Sequence, residues 1–433
     1  MSNKICLAQT VEELKFILNK ADKSVVCVPL DLSTHLYCMQ EKIKFYDPNK
    51  FINSNFHKDS LIESEKLITK LDFGDLKYES IKKVYSDEIR FKFNATVFLI
   101  KIIEEINAYQ KIEEIIVSGW NKNFSKSSDQ YYFISYLLNN LIPDIKVTKL
   151  SKDEYKDDFP AYEKKYIIHD KSLENKKKYI LQNGLHYNFS RILLYFRKKD
   201  FLILIPVFEK PAKRNLFDFV KRKILRLFNV IFIEFHSISF KEQPKFYIPD
   251  IKFLYKGKDI SFALNFRKKQ LIYNLDKIKR KCDGIDLLFD KFKIKLVLSN
   301  IAVGVDGYCL EKSNQINIPS ILVPHGSLAE HFNEYDKIFK KNLAVPHYTK
   351  NAKYFVLQSK IFKGFVKANK IENSCIETGN LLFNNYKNTS KRKILFANTL
   401  KSFQNIKYLG VEMYYEYLEN LNFLNDIAKK KKF

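Results

Sequence analysis

The chain has 433 residues, 46% hydrophobic and 15% aromatic, with 75 Lys+Arg against 49 Asp+Glu for a net charge of +26. This excludes a disordered or fibrous chain and leaves room for two or three domains with substantial cores. No apolar run reaches the roughly 18–20 residues that span a bilayer, and the opening Met1–Cys6 lacks a signal-peptide apolar core, so a cytoplasmic location is expected. Six cysteines (Cys6, Cys27, Cys38, Cys282, Cys309, Cys375) are scattered without paired spacing, which predicts reduced thiols in apolar surroundings and neither disulfides nor a zinc site. The positive field favours anionic partners: nucleotides, lipid headgroups or nucleic acid. The excess of lysine over arginine, with abundant Asn, Ile, Phe and Tyr, also fits A+T-rich coding.

In chain order, Ser24–Leu30 reads as a strand buried on both faces, followed by Asp31–Thr34 as a turn and helix cap. Apolar spacing near 3.6 predicts a helix over Phe93–Tyr109, then a strand at Ile115–Ser118, a helix over Asp129–Asn140 and an extended segment at Ile145–Leu150. Residues 151–182 are lysine-rich and weakly patterned, as in a surface excursion or subdomain boundary. Alternation resumes with Phe201–Val207, a helix near Asn215–Phe228, Val230–Phe235, a long amphipathic helix over Arg267–Phe292, and Lys295–Ser299. A turn bearing Gly304, Asp306 and Gly307 leads to the strand Ile318–Val323. Beyond it come a strand at Lys353–Ser359, a helix over Lys360–Asn369, Ser374–Asn380, a strand from Lys393 to Thr399 and a helix over Gly410–Lys429. Alternating strands and helices predict an α/β fold with mostly parallel pairing.

The strand Ile318–Val323 runs into Pro324-His325-Gly326-Ser327. This places an imidazole, the side chain best suited to proton transfer near neutral pH, at the carboxyl edge of a sheet, where open α/β sheets bind ligands. The same His could simply bond a loop carbonyl. Downstream follow Gln358-Ser359, Thr378-Gly379-Asn380 with Phe383-Asn384, and Ile394–Thr399. In order and spacing the series resembles the GT-B glycosyltransferases of bacterial surface-polysaccharide synthesis. It is most like the capsule β-Kdo transferase and CDP-glycerol glycerophosphotransferase types, and more distantly like UDP-N-acetylglucosamine 2-epimerases. The likeness covers about Lys295–Thr399 and is architectural before that.

The resemblance implies a Rossmann-like, parallel-sheet N-terminal domain over 1–390, with a split near 151–185, and a second Rossmann-like domain beginning at 391–433. That second domain would be completed by a missing C-terminal domain or a second polypeptide. It implies transfer of a glycosyl or glycerophosphoryl group from a nucleotide-activated donor to a surface-glycan or lipid-linked acceptor, with no cofactor or metal. His325 would be the catalytic base or a phosphate ligand; Gly326, Ser327, Ser359, Thr378, Gly379 and Asn380 would contact donor or substrate. Gly326 lets backbone approach a ligand closely, while Ser327 could equally cap a helix and Thr378–Asn380 form an ordinary turn. Glu330 and His331 are near enough in sequence to assist the imidazole.

Lys213–Phe228 is a basic helix whose Leu216, Val220, Ile224 and Leu227 share a face. Lys213, Arg214, Lys221, Arg222 and Arg226 would then meet an anionic membrane at the inner face of the cytoplasmic membrane, unless the apolar face packs in the core. Val303–Tyr308 lacks the spacing of a phosphate loop and the Walker lysine, and reads as a strand-to-helix turn. Two other classes remain: a non-catalytic or partner-completed assembly subunit, and a basic nucleic-acid-binding protein.

Overall fold

The computed structural model describes residues 3–21, 24–51, 54–119, 138–151, 162–168, 178–184, 199, 201–208, 216–241, 247–324, 330–344, 348–371, 374–378 and 426. The expected strand at Lys393, the helix after Gly410 and the rest of 391–433 apart from Asp426 lie outside them, as does most of Asp129–Asn140.

The first unit opens with β1 (Lys4–Ala8), α1 (Val11–Lys20), β2 (Val26–Pro29) and α2 (Leu32–Gln40). It continues through α3 (Ser54–Thr69) and α4 (Glu79–Tyr109) to β3 (Glu114–Val117) and β4 (Lys146–Lys149). These strands pair in parallel in the order β2-β1-β3-β4. Alternate residues point to opposite faces: Cys6, Cys27 and Ile116 meet Leu14 and Ile17 of α1, while Ile5, Val26 and Ile115 join the main core with Phe93 and Val97 of α4. Five of the six cysteines are buried, all six are free thiols, and Cys375 is exposed.

Between Lys149 and Tyr162 the strands change sheet. The second unit contains β5 (Tyr162–Ile168), β6 (Lys178–Gln182), β7 (Phe201–Val207), α5 (Leu216–Leu227) and β8 (Val230–Lys241). A hairpin of β9 (Leu254–Tyr255) and β10 (Lys258–Asp259) precedes α6 (Ser261–Asn265) and α7 (Lys268–Lys291). Then come β11 (Ile294–Ser299), α8 (Gly304–Gln315), β12 (Ser320–Leu322), α9 (Glu334–Ala344), β13 (Tyr354–Leu357), α10 (Lys360–Ala368) and β14 (Ser374–Glu377). The sheet order is β14-β13-β12-β11-β6-β7-β8-β5. All neighbours run parallel except β5, which lies antiparallel on β8.

The fold is therefore α/β, built of parallel Rossmann-like sheets with core on both faces. In the second sheet Tyr179, Leu181 and Leu204 pack toward α4, α7 and α8, while Ile180, Ile203 and Ile205 face Leu225 and Phe228 at the end of α5. Two sequence expectations change. Residues 178–182, taken with the lysine-rich surface stretch, are a central strand in which Tyr179, Ile180 and Leu181 are all 0% exposed. Helix α4 starts 14 residues before Phe93, because Ile81, Tyr85 and Ile89 are buried along its earlier turns.

Helix α4 also joins the two units. Its first turn lacks a side-chain cap of its own. Glu311 of α8 supplies one, its carboxylate accepting from Glu79 N and Ser80 N at 3.3 Å and from Ser80 Oγ at 3.2 Å. A carboxylate there meets the unpaired N–H groups and positive end of the helix. Nearby, Arg90 of α4 is 4% exposed and pairs with Glu65 of α3 at 3.0 Å, and Glu65 also takes Lys341 of α9 at 3.2 Å.

Candidate functional site

In the second sheet the chain builds outward from β6 through β7 to β8, then returns to add β11, β12, β13 and β14 on the other side of β6. The order reverses between β6 and β11. The carboxyl edge at such a reversal is the usual ligand position in open α/β sheets.

The residues at that edge are held by specific bonds. After β6, Gln182 Nε2 donates to Gly184 O at 2.6 Å in a turn where Gly184 has φ +82, a value that favours glycine. Asn183, between them, donates from Nδ2 to Asp306 Oδ2 at 2.8 Å. Asp306 lies in the first turn of α8, and Gly304 opens that helix at φ +60 with no atom of the described residues, its own helix and chain neighbours aside, within 4 Å of where a Cβ would stand. Gly307, one turn on, is the opposite case: a Cβ there would meet Ala302 O at 2.4 Å and Ser80 Cβ at 2.9 Å, so α8 is pressed against α4. Burial pushes the Asp306 carboxyl up to about 6, against the downward pull of Asn183, its own backbone N–H and Ser299. A carboxyl at that value changes charge near neutrality and can accept or donate a proton.

The next strand, β12, continues this edge. Val323 N donates to Ser299 O at 2.7 Å, and Gln358 at the end of β13 donates from Nε2 to Pro324 O. Pro324 is thereby tied at the carboxyl edge beside the β11 terminus. Ser359 caps α10, its Oγ accepting from Phe362 N at 3.3 Å. Thr378 is exposed and carries the β13–β14 ladder on through its N–H to Leu357 O at 3.1 Å. At about 4.8 Å per strand, the ends of β13 and β14 stand roughly 10 and 14 Å from that of β11. Ser359 and Thr378 thus share the edge with Asp306 without adjoining it.

His325, Gly326, Ser327, Gly379, Asn380, Lys213 and Arg214 lie outside the described residues, as does the side chain of Lys221. Of the two residues considered as helpers of the imidazole, Glu330 is exposed and its carbonyl accepts from Lys340 Nζ at 2.6 Å. The buried Nδ1 of His331 has no hydrogen-bond partner among the described residues. Arg222 is not a free cation: it pairs with Glu234 at 2.9 Å and lies over the Phe232 ring at 4.9 Å. Arg226 is exposed.

The first sheet reverses its order between β1 and β3, and a carboxylate stands there too. Thr10 caps α1 by accepting from Glu13 N at 3.1 Å. Glu13 reaches back to accept from Gln9 N at 2.7 Å, as in a capping box, and its other oxygen accepts from Ser118 Oγ. Burial raises the Glu13 carboxyl above its usual range while these bonds pull it down. Among the described residues no group of three or more His, Cys, Asp or Glu could hold a metal ion, and no helix is long and apolar enough to cross a membrane.

No protein-family profile matches the chain, and no curated protein does. Among solved structures, it is similar to Medicago truncatula UGT71G1 complexed with UDP-glucose, with 12% identity and a TM-score of 0.24. That match takes in 48% of this chain and 52% of the other, so the chain spans about half the length of this structure. A Listeria monocytogenes protein assigned as a UDP-N-acetylglucosamine 2-epimerase matches over 85% of this chain and 94% of its own, with 12% identity and a TM-score of 0.18. Likenesses this distant carry no functional argument; strand order and edge chemistry carry it instead.

Proposed function

We propose that the chain is a GT-B-like transferase that moves a glycosyl, or glycerophosphoryl, group from a nucleotide-activated donor to a surface-glycan acceptor. The acceptor would be a capsule-type glycan, free or lipid-linked, met at the inner face of the cytoplasmic membrane. The observation that carries this reading is the switch point between β6 and β11. A titratable carboxyl, Asp306, is held there by Asn183, and the adjacent strand β12 ends at the tethered Pro324, directly before His325 in the chain.

In the reaction, the acceptor hydroxyl oxygen bonds to the anomeric carbon, or to the phosphorus of a glycerophosphoryl donor. Its proton passes to the His325 imidazole. The bond to the nucleotide phosphate breaks and the electron pair leaves with that phosphate. Gly326 and Ser327 would present an N–H and a hydroxyl to the leaving phosphate, and Thr378, Gly379 and Asn380 would contact the donor beside them, with no metal in the step. Ser359 would contribute from the start of α10.

The test is a panel of CMP-, UDP- and CDP-activated donors, with binding followed by calorimetry and transfer by product analysis, on the wild type and His325→Ala. Wild type should bind one donor class and transfer it. His325→Ala should keep that binding and lose 10²–10⁴-fold in rate, the usual worth of a positioned general base. Binding to no donor at millimolar concentration would sink the reading in favour of a non-catalytic or partner-completed subunit. Oligonucleotide binding with a steep salt dependence would instead identify a nucleic-acid-binding protein.

A further inference from the structure

Helix α5 turns two unlike faces to its surroundings. Leu225, with Phe228 just beyond the helix, packs on the sheet face formed by Ile180, Ile203, Ile205 and Val230. Arg222 is engaged with Glu234 and Phe232 of the neighbouring strand. With those positions used by the fold, Val220, Ile224 and Leu227 stand 45%, 50% and 71% exposed. Their i, i+4, i+7 spacing aligns them in one ridge, about 10 Å long at 1.5 Å per residue. Exposed apolar side chains scattered singly need no explanation; three in register on one helix form a surface suited to being covered.

The charge around the ridge indicates by what. Lys223, exposed, lies along its flank, and Arg226, also exposed, stands about 100° further round the helix from Leu227; the helix contains Lys221 and Arg222 besides, against Asp218 as its one acidic residue. Lys210, Lys213 and Arg214 precede it in the sequence. An apolar stripe edged by cations suits a helix lying in the plane of a bilayer surface, its long basic side chains reaching up to the headgroups.

We propose that α5 is an interfacial helix that lays Val220, Ile224 and Leu227 into the surface of an anionic bilayer, with Lys223 and Arg226 meeting the headgroups. The inference rests on the transferase reading only for what is met at that surface; the docking itself needs no catalysis. It also sharpens the basic set expected from sequence, since Arg222 holds the helix to its own sheet.

The experiment is co-sedimentation of the full chain with vesicles of phosphatidylcholine alone or of phosphatidylcholine mixed with phosphatidylglycerol, whose anionic surface attracts nearby cations. Wild type should bind the anionic vesicles at least about tenfold better than the neutral ones. Ile224→Glu with Leu227→Glu should lose at least about tenfold while keeping the wild-type far-UV spectrum, and Arg226→Gln should lose about fivefold, the worth of one cation near such a surface. Wild type that ignores both vesicles overturns the proposal, as does a double variant that sediments like wild type. A wild-type dimer that ignores vesicles and is dissolved by the double variant would show that a second copy covers the ridge. Vesicle binding that persists in a protein unable to bind any donor would support the docking and sink the transferase reading alone.

Discussion

Both parallel sheets carry a carboxylate where their strand order reverses, and the fold treats the two in opposite ways. Glu13 is 5% exposed, with one oxygen on Gln9 N and the other on the Ser118 hydroxyl. It ties the start of α1 to the end of β3, with both oxygens engaged. Asp306 is half-buried, is held by Asn183 on one oxygen, and sits two residues from Gly304, where no atom of the described residues crowds an added Cβ. Burial raises both carboxyls, so neither topology nor a shifted pKa distinguishes them. Exposure does, and under the proposed function the first edge is structural and the second is part of the site.

The comparison breaks most readily at Glu13. Glu13→Ala leaves Gln9 N buried without its acceptor, at about 1–3 kcal/mol for a group left unpaired, while Ser118 Oγ keeps its bond to Gly119 O at 3.2 Å. A loss of about 2 kcal/mol in urea denaturation is expected, with donor binding intact. A loss below about 1 kcal/mol, or a loss of donor binding at unchanged stability, would mean that the first edge is also a site. Gly307→Ala probes the wall behind Asp306. Its new Cβ would stand 2.4 Å from Ala302 O, and relieving that clash moves α8 off α4. About 2 kcal/mol of destabilisation is expected, within the range for overpacked cores, together with weaker donor binding because Asp306 moves with the helix. Full stability in this variant would show that the contact is loose.

Much of this architecture is legible in the sequence because buried parallel strands are short, unbroken apolar runs. The stretches Val26–Pro29, Phe201–Val207 and Ile294–Ser299 announce themselves in that way. The strand that sets the switch point does not. Lys178-Tyr-Ile-Leu-Gln182 has three core residues behind a run of lysines, and the surrounding charge hides it. The early turns of α4 are obscured similarly, since Lys82, Lys83 and Lys92 fall among Ile81, Tyr85, Ile89 and Phe93. The Asn183–Asp306 pair is beyond any local pattern. Its members are 123 positions apart and meet only because β6 and β11 are neighbours, so Asp306 alone reads as a turn residue. His325 is the reverse: its motif stands out in the sequence, and Gln358, which holds the preceding proline, becomes visible only in the fold.

The smallest effect tests the difference between the carboxylates most directly. The Asp306 carboxyl stands at about 6 in the folded chain and near 3.9 when unfolded, so the native state holds its proton more tightly. Its contribution to stability is then greatest below about pH 4, falls as pH rises to about 6, and is flat above. Glu13, also raised, slopes in the same direction, so the informative quantity is wild type minus variant. Asp306→Asn cannot titrate, and the difference curve should change by about 1 kcal/mol across that window, the two-unit shift being discounted for partial solvent screening. Above pH 6 the variant should be the more stable protein and the poorer binder of donor, the trade expected when a half-buried charge is kept for function. Parallel curves from pH 4 to 7 would place Asp306 with Glu13, as a structural tie.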